Sequence, residues 1–223
     1  MTAGETRRAV SMADCAGLWQ RTLLVDPSGS HDTTTDVRWL QGITRFVDLR
    51  RATERPDFSG VRDVAGMTAE QRAWLDTQDG FAGTLTQRAD IFHWQRRIEL
   101  QPPGPHPDEG SMSYSGDVLV EIGVHADYFE HWTRTATPGP CWAMDLEAPD
   151  GSLALVLRVG ALFGWAHRAA AGGVELSLGT VTDGEWLITD SSLPHREGQV
   201  LQPLWAATQQ EWRILYTEGN VTS

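Results

Sequence analysis

The sequence predicts an all-β protein, an antiparallel β-barrel with one short helix, built either as one large barrel or as two related barrel lobes. Three observations predict it. The chain is a succession of short alternating or apolar runs separated by turn residues. Only one segment combines helical spacing with a cap. Many antiparallel strands with a single helix favour closure, because a closed sheet has no exposed edges.

The elements follow in order. Residues 18–25 (LWQRTLLV) form a strand that stops at Asp26-Pro27-Ser28-Gly29, with proline and glycine where a turn wants them. Strands are expected at 35–41 and at 44–50 (TRFVDLR). The capping box Thr68-Ala69-Glu70-Gln71 opens a helix over 68–78 that closes near Asp79-Gly80 and is expected to plug or flank a barrel end. Further strands follow at 83–88, 92–100 and 111–123. The loop 101–107 (QPPGPHP) cannot join a ladder, since proline lacks the donor. The second half continues with strands at 128–135, 142–147, 153–159, 162–168, 174–181, 185–190 and 212–217. Residues 1–16 read as an N-terminal tail and 17–223 as the barrel domain. The likeness of Trp19-Gln20-Arg21-Thr22 to Trp132-Thr133-Arg134-Thr135 raises a division into related halves, 17–125 and 126–223, with chance similarity as the competing explanation.

Composition excludes several functions. At 223 residues the chain can bury a sizeable core, and a net charge of −12 with no run of basic residues argues against a nucleic-acid partner. All 18 basic residues are arginine, so Schiff-base chemistry and a Walker-type phosphate loop lack their lysine. No Gly-x-Ser-x-Gly and no strand-to-helix glycine fingerprint is present. Cys15 and Cys141 are far apart and have no zinc spacing, so they read as reduced structural cysteines, and neither a metal nor a cofactor is expected. No signal-like or membrane-length apolar run occurs; the expected compartment is the cytoplasm, and the expected partner is a small molecule, with a homodimer left open.

Gly17-Leu18-Trp19 at the start of the first strand and Trp212-Arg213 in the last resemble the lipocalin arrangement, in which an N-terminal Gly-x-Trp packs under an arginine from near the end of the barrel. The resemblance covers the two chain ends. It implies the calycin superfamily, whose members enclose small molecules in antiparallel barrels. Its nitrobindin branch binds haem, although that branch's glycine-rich opening motif is not found in this chain.

Candidate site residues come from strand faces, because alternate side chains share a side. In TRFVDLR, Phe46 shares a face with Asp48 and Arg50, and burying such an ion pair is costly unless it serves something. Tyr128, Glu130, Trp132 and Arg134 share a face, as do Phe92, Trp94 and Arg96. Glu121 interrupts an apolar run with His125 close behind, and the aromatic stripe of Phe163 and Trp165 leads to His167. Each group has a plain alternative: a structural ion pair, a solvent-facing carboxylate, a satisfied histidine. Their recurrence beside aromatics predicts a polar-bottomed lumen suited to a ligand with an anionic or hydrogen-bonding group. The expected catalytic set is His167, His125, Glu121 and Asp48. The expected ligand-binding set is Arg50, Trp39, Trp94, Tyr128, Trp132 and Trp165. The expected function is binding of a small organic molecule and its conversion by cofactor-independent proton transfer, of lyase, hydratase or isomerase type. The alternatives are a non-catalytic carrier or sensor, and a haem barrel using His125 or His167.

Overall fold

The computed structural model describes residues 8–201 and 212–221. Eight strands form a closed antiparallel barrel: β1 Gly17–Val25, β2 Asp36–Gln41, β3 Arg45–Arg51, β4 Asp79–Arg88, β5 Ile91–Glu99, β6 Glu109–Ser115, β7 Val118–Gly123 and β8 Phe129–Ala136. Each strand pairs with the next, and β8 returns to β1 to close the ring. Six more strands form a second antiparallel sheet: β9 Cys141–Glu147, β10 Leu153–Val159, β11 Leu162–Arg168, β12 Val174–Thr182, β13 Glu185–Ser191 and β14 Arg213–Gly219. Its order is β13-β12-β11-β10-β9-β14. The chain passes from barrel to second sheet between Ala136 and Cys141. The tetrapeptides at Trp19 and Trp132 lie side by side at the closing seam, with Trp132 opposite Arg21 and Arg134 opposite Trp19.

The segment expected as one strand over 111–123 is two strands. Gly116, with φ +57°, turns the chain between β6 and β7, because the left-handed conformation it needs suits glycine. The helix α2, Ala69–Asp76, has the expected capping box, with Thr68 Oγ1 accepting from the Gln71 amide at 3.2 Å. It does not plug the barrel. Trp74 packs with Phe58 and Met67 in a separate small cluster on the 52–67 loop. The plug comes from the expected tail: Arg8 and Ala9 pair with Tyr114 and Ser113, and the single-turn helix α1, Met12–Cys15, brings Val10 and Cys15 into the barrel's apolar cluster. Residues 1–7 of that tail lie outside the described residues.

Two β-bulges set which side chains point inward. Ala82 pairs with Ile98 and Gly83 with Arg96, so Arg97 is an extra residue on β5. The extra residue reverses the alternation: Phe92, Trp94 and Arg96 face the lumen, while Ile98 faces the second sheet. Thr22 plays the same part on β1, where His131 pairs with Leu23 and Trp132 with Arg21, so that Arg21 and Leu24 both reach the lumen.

The second sheet lies on the outside of β2–β5. Ala143, Leu155, Leu157, Ala166, Leu176 and Leu178 meet Leu40, Val47, Leu49, Ala82 and Ile98 in one cluster. Gly164 permits the close approach, since a Cβ there would stand 2.8 Å from Val47 Cγ2. Asp145 faces the barrel in this layer and accepts from Arg45 Nη2 at 2.8 Å and pairs with Arg97 at 3.0 Å. Trp142, Phe163, Trp165 and Trp186 form a further cluster on the sheet's other face, joined by Leu201 and Trp212. Burial on both faces explains why β10 reads as the continuous apolar run LALVLRV. Among the described residues no helix is long and apolar enough to cross a membrane.

Candidate functional site

Both faces of TRFVDLR are buried, for different reasons. Phe46, Asp48 and Arg50 point into the lumen, ordered from its closed end to its open end, while Val47 and Leu49 lie beneath the second sheet. The mixed pattern is that of a barrel strand covered on the outside.

The closed end is apolar and capped. Trp19 is 1% exposed, donates from Nε1 to the Cys15 carbonyl at 2.6 Å, and stacks on Trp39 with centroids 6.0 Å apart. Arg134 on β8 lies 4.6 Å over the Trp19 ring and donates to the Asp14 carbonyl. The guanidinium over Gly17-Leu18-Trp19 is thus Arg134, not the expected Arg213. The chain's last strand belongs to the second sheet, where exposed Arg213 pairs with Glu147. Burial pushes the Cys15 thiol up to about 12, and both cysteines are free thiols.

Toward the open end lies a cavity of about 280 Å³, lined by Trp39, Trp94, Trp132, Phe81 and Tyr128 together with eight ionisable groups: Arg21, Arg50, Arg96, Asp26, Asp48, Asp108, Glu121 and Glu130. Trp39 meets Trp94 and Trp132 edge-on at 5.9 and 5.7 Å. Arg50 donates from Nε to Asp48 at 2.7 Å, Arg96 pairs with Asp108 at 2.7 Å, and Arg21 pairs with Glu130 at 2.8 Å and Asp32 at 2.9 Å. Arg96 and Arg50 also sit over Phe81, 3.6 and 4.8 Å from its centroid. Glu121 accepts from the Tyr128 hydroxyl at 3.1 Å and from Trp132 Nε1 at 3.2 Å. It is 4% exposed and lies directly opposite Glu130 in the β7–β8 register. Burial, then the neighbouring Glu130 and Asp108 carboxylates, holds its carboxyl well above the usual carboxylate range. Burial likewise raises Asp48, with Arg50 opposing, and raises the Tyr128 hydroxyl.

Of the residues expected from sequence, Asp48, Arg50, Glu121, Trp39, Trp94, Tyr128 and Trp132 come together in this cavity. His125 does not line it. It sits at the rim, with Nε2 2.9 Å from Glu109 and its ring stacked on His106 at 5.7 Å. His167 and Trp165 are on the second sheet, their rings stacked at 5.9 Å, with Trp212 edge-on to His167 at 6.0 Å. Burial lowers the His167 pKa. The expected set therefore divides: sequence adjacency to aromatics does not tell a lumen from the face of a second sheet.

Arg21, Phe81, Arg96, Asp108 and Glu130 were not among the expected site residues. Arg96 and Glu130 had a signal, since each shares a strand face with a selected tryptophan, and Arg21 is two residues beyond Trp19. Asp108, beside the proline-rich loop, had none. No cluster of three or more His, Cys, Asp or Glu able to hold a metal occurs among the described residues.

No protein-family model matches the chain, and no curated protein matches it. Among solved structures, the chain is similar to the crystal structure of uncharacterized protein YLR301w from Saccharomyces cerevisiae. The two are 13% identical with a TM-score of 0.57, over 91% of this chain and 98% of that one. At that identity the likeness speaks to the fold alone.

Proposed function

We propose that the barrel is a binding protein for a small organic molecule, held in the lumen against Trp39, Trp94 and Trp132 with its polar group among the buried charges. One observation carries the reading: a closed barrel keeps a cavity of about 280 Å³ and lines it with three arginines and five carboxylates. Arg21, Asp48, Glu121 and Glu130 are buried, and replacing buried ion pairs by apolar residues is often neutral or stabilising, because each buried ion costs several kcal/mol of desolvation. The reading makes the barrel calycin-like, with Gly17-x-Trp19 under Arg134 at the closed end and the ligand at the open end. The free thiols Cys15 and Cys141 accord with a reducing compartment such as the cytoplasm.

Proton-transfer catalysis is the second reading, favoured by Glu121. A cavity-lining carboxyl whose pKa burial raises well above the usual carboxylate range, and which accepts from the Tyr128 hydroxyl, is suited to hold and donate a proton. Binding ranks first because no histidine lines the cavity and every lumen arginine is already charge-paired with a carboxylate. The haem alternative loses its axial ligand for the same reason: neither His125 nor His167 reaches the lumen.

The test is a thermal-shift and tryptophan-fluorescence screen of a metabolite library. Ligands that stabilise the protein should lose about tenfold or more in affinity in Trp94→Leu and in the Asp48→Leu/Arg50→Met double variant, the scale of losing one good contact. They should be indifferent to His167→Ala on the second sheet. Ligands unaffected by the lumen substitutions would overturn the reading.

A further inference from the structure

We infer that the lumen takes an organic cation, a protonated amine or quaternary ammonium carried on a flat or apolar body. The inference rests on the lumen being the ligand site and goes on to name the ligand's charge.

The charge balance of the walls comes first. Three guanidiniums line the cavity with Asp48, Asp108, Glu130 and Glu121, while Asp26 at the rim is held by Ser28 and Ser30 in its own turn. Arg50 is committed to Asp48, Arg96 to Asp108, and Arg21 is shared between Glu130 and Asp32. An anionic ligand would have to share a guanidinium that already has a carboxylate partner and would bring a further negative charge against Asp48, Asp108 or Glu130. The anionic group that strand-face patterning suggests therefore finds no free cation. Glu121 is the opposite case. Its two hydrogen bonds come from neutral donors, the Tyr128 hydroxyl and the Trp132 indole, and no cation among the described residues stands within ion-pair distance. It faces Glu130 across the β7–β8 ladder, where directly opposed side chains are neighbours and like charges repel. That opposition favours the neutral form of Glu121, and a single positive group seated beside the pair would take the place of its proton, letting both carboxyls ionise around one counter-charge.

The walls supply the second, independent argument. Ring faces attract cations, most strongly when water is excluded, and indole is the best of them. Trp39 meets Trp94 and Trp132 edge-on, so the indoles lining the cavity do not stack into one flat slot. The barrel already uses a ring in this way: Phe81 carries the Arg96 guanidinium at 3.6 Å and the Arg50 guanidinium at 4.8 Å. The indole lining and a Glu121 carboxyl with no cation of its own together select a compact organic cation over a neutral isostere, and a neutral isostere over an anion.

The experiment uses matched probes on the whole protein: benzylamine and benzyltrimethylammonium, the neutral benzyl alcohol, and benzoate, followed by tryptophan fluorescence and calorimetry. Both cations should bind about tenfold or more tightly than benzyl alcohol, with benzoate weakest, the margin expected for one desolvated charge contact. Glu121→Gln should erase that margin and leave benzyl alcohol unchanged. Benzyl alcohol or benzoate binding as tightly as the amines would overturn the cation inference while leaving the lumen as a ligand site. Amine binding insensitive to a folded Glu121→Gln would overturn the assignment to Glu121. Should that variant not fold, the charge series on the unaltered protein decides alone. No binding by any probe also overturns the inference, whereas the lumen reading itself fails only in the library screen.

Discussion

Asp48 is 3% exposed and accepts from Arg50 Nε at 2.7 Å, beside an aromatic ring that also holds the guanidinium. Removing one partner leaves the other charged and buried, so Arg50→Met alone should destabilise by about 3–5 kcal/mol. The double variant Asp48→Leu/Arg50→Met removes both desolvation costs and should fall within about 1 kcal/mol of the parent, or above it. Urea midpoints for the two variants decide the matter, and a double variant as unstable as the single one would show that the pair is required by the barrel itself. Glu121 makes a different prediction. Its folded pKa lies well above the ordinary 4.5, so the folded protein keeps a proton that the unfolded chain releases. Its contribution to stability is complete below pH 4.5 and declines as pH rises toward the folded value. Glu121→Gln abolishes that slope, so the variant should gain on the parent as pH rises above 4.5 toward the folded value. Parallel stability curves would show that Glu121 is ionised in the folded barrel. The aromatic–ionisable pairing on single strands was legible in the sequence, because alternation is local. The partners were not, since Glu130, Asp108 and Arg21 reach the same cavity from other strands.

At the level of elements, strand positions could be read within a residue or two for most of the chain; the exceptions were β4, which begins at Asp79 and not at 83, the short pairings at Arg8–Ala9 and His31–Asp32, the hairpin at Gly116 and the bulges. A bulge is one extra residue whose effect is to reverse the alternation beyond it, and nothing local distinguishes Arg97 from its neighbours. Gly83 marks the place structurally: a Cβ there would fall 2.0 Å from the Gln95 carbonyl oxygen. Gly83→Ala should therefore cost about 1–3 kcal/mol or more by overpacking, with weakened amide-exchange protection localised to β4 and β5. Unchanged protection would mean that the bulge relaxes freely. At the seam, Trp19 of β1 lies under Arg134 of β8 and against the α1 plug. Trp19→Ala should cost about 3–5 kcal/mol, measured by chemical denaturation. A loss below about 1 kcal/mol would show that this end of the barrel does not depend on its floor.

For the molecule as a whole, the second sheet is tied to the barrel by an apolar layer and by charges set within it. Arg45 grips Asp145 through Nε and Nη2, and Glu218 of β14 accepts from the Thr44 and Arg45 amides at 3.0 Å. Arg97 remains beside Asp145 if Arg45 is lost, so Arg45→Met should cost less than the about 3–5 kcal/mol of an unrelieved buried charge. Barrel and sheet should still unfold in one transition, because the shared layer removes apolar surface that neither part could leave in water. Separate transitions, by tryptophan fluorescence and far-ultraviolet circular dichroism, would show two independently stable units.

The all-β class, the one capped helix and the pairing of aromatics with charges on strand faces were decided by local chemistry: turn residues, period-two alternation, and a threonine three residues before a glutamine. Which face is the lumen was decided only by closure. β8 must reach β1 before Trp19 finds Arg134 rather than Arg213, and the second sheet must settle on β2–β5 before Val47 and Leu49 become as buried as Phe46 and Asp48. His167 was separated from Glu121 by the same event, because strand pattern records how a side chain alternates with its neighbours but not which of two sheets it serves.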